Sequence, residues 1–313
     1  MKLLGTHHIT AIATDPQRNL DFYTQVLGLR FVKRTVNFDD PSTYHLYFGD
    51  RTGRPGTVIT FFPWLGARRG TRGTGQVVAT SFAIPAQSIR YWSERLKKEG
   101  VIFERNSRRF DEEVVRLFDP DGLLLELIAS AHLDDVDFES GVPGEFAIRA
   151  FHAPTLEVQK AKLTEQLLTA FGFDLIAEEG GRRRFALNQR STSAHVDVIE
   201  RPDGQFGEIA AGTVHHIAFR AANEEEQLLW RRQLVDLGLH VTPVVDRQYF
   251  HSIYFREPNG ILFEIATDGP GFAIDEPVEQ LGGSLKLPER FEPQRKSIEQ
   301  VLPPIELRRA ADR

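Results

Sequence analysis

The stretch Leu4–Asp50, LGTHHITAIATDPQRNLDFYTQVLGLRFVKRTVNFDDPSTYHLYFGD, contains most of one structural unit that the chain then repeats. It opens on an apolar strand and passes into a helical pattern that puts Leu20, Tyr23 and Leu27 on one face. Gly28 ends that helix, and β-rich segments follow. The same order returns three more times. The helix-ending glycines are Gly28 in VLGLRFV, Gly100 in KKEGVIFE, Gly172 in AFGFDLI and Gly238 in VDLGLHV, spaced 72, 72 and 66 residues apart. The helical faces before them carry Ile89, Trp92 and Leu96, then Leu163, Leu167 and Phe171, then Leu228 and Leu237. Glycine suits this place because a helix C-cap needs the left-handed backbone region, which costs glycine nothing. Turn words close the units: Thr52–Gly56 before TVITFF, Asp119–Gly122 before LLLELIA, and Glu257–Gly260 before ILFEIAT.

Each unit therefore reads βαβββ, with limits near 5–65, 76–130, 146–200 and 213–268. One helix cannot cover the concave sheet of such a unit, so units must pair to bury their apolar faces. The expected fold is α+β, with four βαβββ modules paired into two open barrels. The sequence divides into a first pair over 5–130 and a second over 146–268. His132 to Gly144 is acidic and turn-rich and reads as the link between halves. The tail, 269–313, is rich in proline and charge and is expected to drape over the body.

Composition narrows the class. At 313 residues, 41% hydrophobic and 26% charged, the chain has room for large cores. No apolar run approaches the roughly 20 residues of a membrane span. The opening residues lack a secretory core, which places the protein in the cytoplasm. The net charge of −6 gives no pull toward nucleic acid. The basic runs Arg68–Arg72 and Arg182–Arg184 read as solvated loop faces. Cysteine is absent, so any metal must be held by histidine, carboxylate or water.

Aligning the first strands puts His8, Thr80, Ile148 and His216 at one repeat position, within the similar words THHITAIA and VHHIAFRA. Aligning the last strands through their turn glycines puts Thr60, Glu126 and Glu264 at another. If modules one and four face each other, His8, His216 and Glu264 meet. Two histidines and a carboxylate leave coordination positions open, as non-haem Fe(II) requires when it handles O2 and a substrate together. Glu126 has no histidine partner and reads as structural. His45, His132, His152, His195 and His240 carry no phase signal and read as core or surface residues, and His251 reads as a surface residue.

These positions resemble the vicinal oxygen chelate superfamily, which includes glyoxalases, fosfomycin-resistance proteins and extradiol dioxygenases. More narrowly, the opening stretch and SIYFREPNGILFEIATDGPGF resemble the hydroquinone-type ring-cleaving dioxygenases of bacteria, over Leu3 to Phe272. The resemblance implies an Fe(II) centre on His8, His216 and Glu264, although a crystal of such a protein can carry Mn, Zn or Ni. It implies a small aromatic substrate, O2 as co-substrate, and a role in aromatic breakdown, with a homo-oligomer as the expected assembly. It gives catalytic roles to Tyr254 and Arg247, ten and seventeen residues before the glutamate. It also sets Thr10, His7 and His215 around the substrate, although strand alternation points His7 and His215 away from the ligand face.

Alternatives remain on the same fold. A catechol extradiol dioxygenase differs only in its substrate. A glyoxalase-like lyase or isomerase would be expected to carry a fourth carboxylate where Thr60 stands. A metal-free binding module would not need to retain His8, His216 and Glu264.

Overall fold

The computed structural model describes residues 1–131, 133, 141–187 and 191–307. His132 and most of the expected link over 132–144 lie outside these residues. Four βαβββ modules are present, as the repeat predicts. The first holds β1 (Thr6–Ala13), α1 (Pro16–Asp21), β2 (Arg30–Val36), β3 (Tyr44–Gly49) and β4 (Val58–Pro63). The second holds β5 (Gln76–Pro85), α2 (Ile89–Lys98), β6 (Phe103–Arg109), β7 (Glu112–Phe118) and β8 (Leu124–Ser130). A short β9 (Ala150–Phe151) leads into β10 (Thr155–Val158), α3 (Ala161–Ala170), β11 (Asp174–Glu179), β12 (Arg182–Ala186) and β13 (His195–Glu200). The fourth module holds β14 (Val214–Ala221), α4 (Glu224–Asp236), β15 (Val245–Asp246), β16 (Phe250–Arg256) and β17 (Leu262–Pro270). The four helix-ending glycines all have positive φ, between 68° and 96°, as their C-cap role requires.

The strands form two curled sheets. The outer modules build one, in the order β15-β16-β17-β14-β1-β4-β3-β2. The inner modules build the other, β11-β12-β13-β10-β5-β8-β7-β6, with β9 against β5. The continuous halves 5–130 and 146–268 are therefore not the paired units, since each sheet takes one module from each half. Two connectors cross between the sheets side by side: Gly70 N–H donates to the Ala211 carbonyl at 2.9 Å, and Thr74 N–H to that of Gln205 at 2.9 Å. That joint crossing carries module two away from module one and module four back to it. Local patterning specifies modules but not their partners.

Two of the helical faces differ from the expected ones. In α3 the buried side chains are Thr164, Leu167 and Leu168, with Leu163 exposed. In α4 they are Gln227, Trp230 and Leu234, with Leu228 and Leu237 exposed. Gln227 is buried because its amide donates to the carbonyls of His251 and Ile265, at 2.7 Å each. A polar residue that spends its donors this way is invisible to a hydrophobic pattern.

The inner sheet holds alanine where the outer sheet holds its ligand histidines. The register sets Ser81 opposite Glu126, as it sets Ala218 opposite Glu264. Ala79 and Thr155 then correspond to His216 and Thr10, which makes Ala153 the counterpart of His8. The alignment to Thr80 and Ile148 is thus corrected by one and five residues, because module three enters its sheet through the extra β9 segment. Glu126 is structural, as expected: Arg109 donates to both of its oxygens, at 2.7 and 2.8 Å. Nor is Arg182–Arg184 a solvated face. Arg184 is buried on Asp197, with Glu112 at 2.6 Å.

Burial alone would push the Glu126 carboxyl up, but Arg109 outweighs burial and holds it at about 2. Replacing Arg109 with leucine strands that carboxylate. The expected loss at pH 7 is about 3 kcal/mol of unfolding free energy, read from denaturant titration, with metal content unchanged. The folded pKa lies below its ordinary value of 4.5, so the stabilisation is full above pH 4.5 and is lost as pH falls toward 2. The gap between the two proteins should close over that range. A gap unchanged from pH 6 to pH 3 would show that the pair does not stabilise the fold.

The tail packs against the body. Leu281, Leu287, Ile298 and Leu302 are buried. Lys33, fully enclosed beneath the tail, pairs with Asp275 and Glu276 at 2.6 Å each. No helix among the described residues is long and apolar enough to cross a membrane.

Candidate metal centre

β1 and β14 lie antiparallel at the middle of the outer sheet, with Thr10 opposite His216 and His8 opposite Ala218. β17 runs parallel beside β14 and brings Glu264 level with Ala218. These registers gather His8, His216 and Glu264, all buried, with their ligand atoms within 4.8 Å of one another. His8 Nε2 lies 3.3 Å from Glu264 Oε2, His216 Nε2 3.0 Å from the same oxygen, and the two Nε2 atoms 3.3 Å apart.

Hydrogen bonds behind the triad fix which atoms face inward. His7 Nε2 lies 3.1 Å from the Thr267 carbonyl, which can only accept, so this nitrogen carries the proton. Burial, reinforced by His8, lowers the His7 pKa well below its usual value and keeps the ring neutral. His7 Nδ1 is then an acceptor, and His8 Nδ1 donates to it at 2.9 Å. The proton of His8 is committed there, so Nε2 presents a lone pair to the triad. His216 Nδ1 likewise lies 2.8 Å from His215 Nδ1. Ser252 donates to Glu264 Oε1. Oε2 has no hydrogen-bond partner despite its complete burial. A carboxylate oxygen and an imidazole lone pair converging on one buried point is the donor set of a divalent cation.

His8 and His216 line a cavity of about 340 Å³. Phe38, Phe62, Trp64, Phe250 and Leu262 form its apolar wall, and Tyr254, Arg247, His215, His45 and Tyr47 bring polar groups. Tyr254 lies opposite Glu264 on β16. Arg247 Nε donates to the Tyr254 oxygen at 2.9 Å and Arg247 Nη1 meets Asp39 at 3.0 Å. Burial and the Glu264 charge push the Tyr254 phenol up despite Arg247, so it stays protonated at neutral pH.

The structure brings together the three expected ligands, Tyr254, Arg247 and His215. His7 and Thr10 are not on the cavity wall. Expected around the substrate, they lie behind it instead: His7 orients His8, and Thr10 bonds Thr60 at 2.7 Å. Strand alternation turns His7 from the face of His8, whereas Thr10, two residues on, shares that face but commits its hydroxyl to Thr60. Two residues escaped the sequence reading. Ser252 carried no signal. His45, read as core or surface, lines the cavity beside Tyr47. Their i, i+2 spacing in TYHLYF was the available clue. His251 does sit toward the surface, 3.0 Å from Glu224.

Residues 5–127 and 167–265 match the model of the Glyoxalase/Bleomycin resistance protein/Dioxygenase superfamily, and the chain belongs to that superfamily. It is 48% identical over 312 residues to "Putative ring-cleaving dioxygenase MhqO" of Bacillus subtilis (strain 168), covering 98% of each chain. It is 34% identical over 301 residues to "Chlorohydroquinone/hydroquinone 1,2-dioxygenase" of Sphingobium indicum, covering 92% of each. A crystal structure described as a "putative dioxygenase" of Bacillus subtilis superposes with a TM-score of 0.94, at 47% identity over 98% of this chain and 99% of that one. Glyoxalase I of Zea mays shares the fold, with a TM-score of 0.63 at 14% identity over 84% of this chain and 92% of that one.

Proposed function

We propose that this chain is a ring-cleaving dioxygenase that uses Fe(II) and O2 to open a hydroquinone-type aromatic. The observation that carries the reading is the buried set of His8, His216 and Glu264, whose histidines line an aromatic-walled cavity with a protonated tyrosine on its wall. The ring-cleaving relatives support it over 98% and 92% of their lengths. His8, His216 and Glu264 would hold the metal, which when bound supplies a positive charge that favours ionised phenols and electrons that can activate O2.

The chain's own residues do the rest. Phe38, Phe62, Trp64 and Phe250 offer flat apolar surface to an aromatic ring and keep water away from it. Arg247 takes up a lone pair of the Tyr254 oxygen and leaves the tyrosine hydrogen free to donate to a ring oxygen. The Arg247 charge, 5.1 Å from the Tyr254 ring, favours negative charge developing nearby. Thr60 is bonded to Thr10 and to His45 Nε2 at 2.8 Å, so no carboxylate stands where a fourth protein ligand would. This favours O2 chemistry over a glyoxalase-like proton transfer.

The test is anaerobic loading with Fe(II), followed by O2-consumption assays over hydroquinones and catechols. Stoichiometric O2 uptake with a hydroquinone and loss of ring absorbance are expected. An iron-loaded protein that consumes no O2 with any diol but isomerises an α-ketoaldehyde thiol adduct would overturn the reading.

A further inference from the structure

The outer sheet carries a second tyrosine at the place that mirrors Tyr254. Tyr254 on β16 stands opposite Glu264 on β17. Tyr47 on β3 stands opposite Thr60 on β4. Modules one and four meet along the antiparallel β1–β14 pair, and Thr60 is the module-one counterpart of Glu264. The two tyrosines are therefore equivalent positions of paired modules. Their immediate partners correspond too. Ser252, two residues before Tyr254, donates to Glu264, and His45, two residues before Tyr47, bonds Thr60.

The second constellation is wired differently. Thr10, Thr60, His45 and Tyr47 form a continuous hydrogen-bonded chain, with steps of 2.7, 2.8 and 2.8 Å. Each of these groups can both donate and accept, so the chain can run in either direction. When His45 Nδ1 carries its proton and donates to the Tyr47 oxygen, the tyrosine hydrogen is free. When Tyr47 donates to Nδ1, His45 Nε2 donates to Thr60. Both His45 and Tyr47 line the cavity, and Tyr47 is close enough to Tyr254, Arg247 and Glu264 to feel their charges. Along the sheet, Tyr254 is one strand from Glu264, whereas Tyr47 is two strands beyond β1 on the other side of the triad.

We propose that Tyr47, held by His45, binds the second hydroxyl of a para-diol, and that this contact selects a hydroquinone over a catechol. The inference rests on the ring-cleavage reading above. A para-diol carries its oxygens at opposite ends of the ring. With one oxygen at the triad beside Tyr254, the other points across the cavity toward the opposite wall. There Tyr47 donates to it or accepts from it, according to the state of the His45 chain. A catechol keeps both oxygens at one end and leaves Tyr47 without a substrate partner. Tyr47 is thus a specificity residue and His45 a positioning residue.

The test measures equilibrium binding without turnover, by anaerobic titration of the Fe(II)-loaded protein with hydroquinone, phenol and catechol. In the unaltered protein hydroquinone should bind about fivefold to tenfold more tightly than phenol, the worth of one neutral hydrogen bond. Tyr47→Phe should bind hydroquinone weakly, at the level of phenol, while phenol and catechol affinities stay as they were. His45→Phe should give the same loss, and His45→Gln should restore part of it. Iron content and the melting midpoint are followed in each variant. Equal affinity for hydroquinone and phenol in the unaltered protein would overturn the inference even if neither variant folds. So would a Tyr47→Phe protein that keeps the preference. Ring cleavage could still be intact in both cases, since O2 uptake is measured separately. Failure of every diol to bind or to drive O2 uptake would remove the function, and this inference with it.

Discussion

Glu264→Gln is expected to lose its metal, and activity with it, by at least about 10²-fold, more than the loss of a residue that merely orients a ligand. The carboxylate is the only anion in the triad. The amide keeps its size and can still accept from Ser252, so the fold should survive, but the attraction for a dication is gone. The buried lone pair of His8 Nε2 would then face an amide, which the amide nitrogen can satisfy by donating to it. Metal content by elemental analysis and O2 uptake should fall in parallel. Full metal with full turnover in this variant would show that Glu264 is not a ligand.

Tyr254→Phe should separate chemistry from architecture. The substitution removes one hydroxyl and leaves His8, His216, Glu264 and their supporting histidines untouched. Arg247 loses an acceptor but keeps Asp39. Metal content and melting temperature should hold. If the phenol passes a proton to the ring oxygen, kcat falls by about 10²-fold, the lower end of general acid–base effects. If it only holds the substrate, equally in ground and transition states, KM rises and kcat stays. With both constants unchanged in a metal-replete protein, Tyr254 would have no part in the reaction.

Much of this was legible in the sequence, and for a physical reason. The βαβββ grammar is local: turn chemistry, a glycine helix cap and period-matched apolar faces recur within each module. A difference between copies at one repeat position, such as His8 and His216 against the Thr80 and Ile148 that the sequence aligns with them, then stands out as functional. What was hidden depended on contacts between modules. The pairing of one with four rests on crossing connectors, and the burial of Arg184 in part on Glu112, a carboxylate of another module. The kinship of Tyr47 with Tyr254 was masked by loop length. Tyr47 lies thirteen residues before Thr60, whereas Tyr254 lies ten before Glu264, so only the strand register equates them.

The exchange of modules between sheets also sets an order of events for the growing chain. All but the outer sheet can assemble from one continuous stretch, 76–200, whose strands need only each other. The outer sheet has its first strands made at the start of synthesis and its last strands at the end, and His8 waits 208 residues for His216. Closing so long a loop is slow, and the entropy cost is met only when the fourth module docks. Until then the four strands of module one are left as a half-sheet with β1 as an open edge, the kind of surface that pairs with the wrong strand. The donors of the triad do not exist as a set before that step. A nascent chain therefore lacks the three-residue site as a set until the fourth module docks.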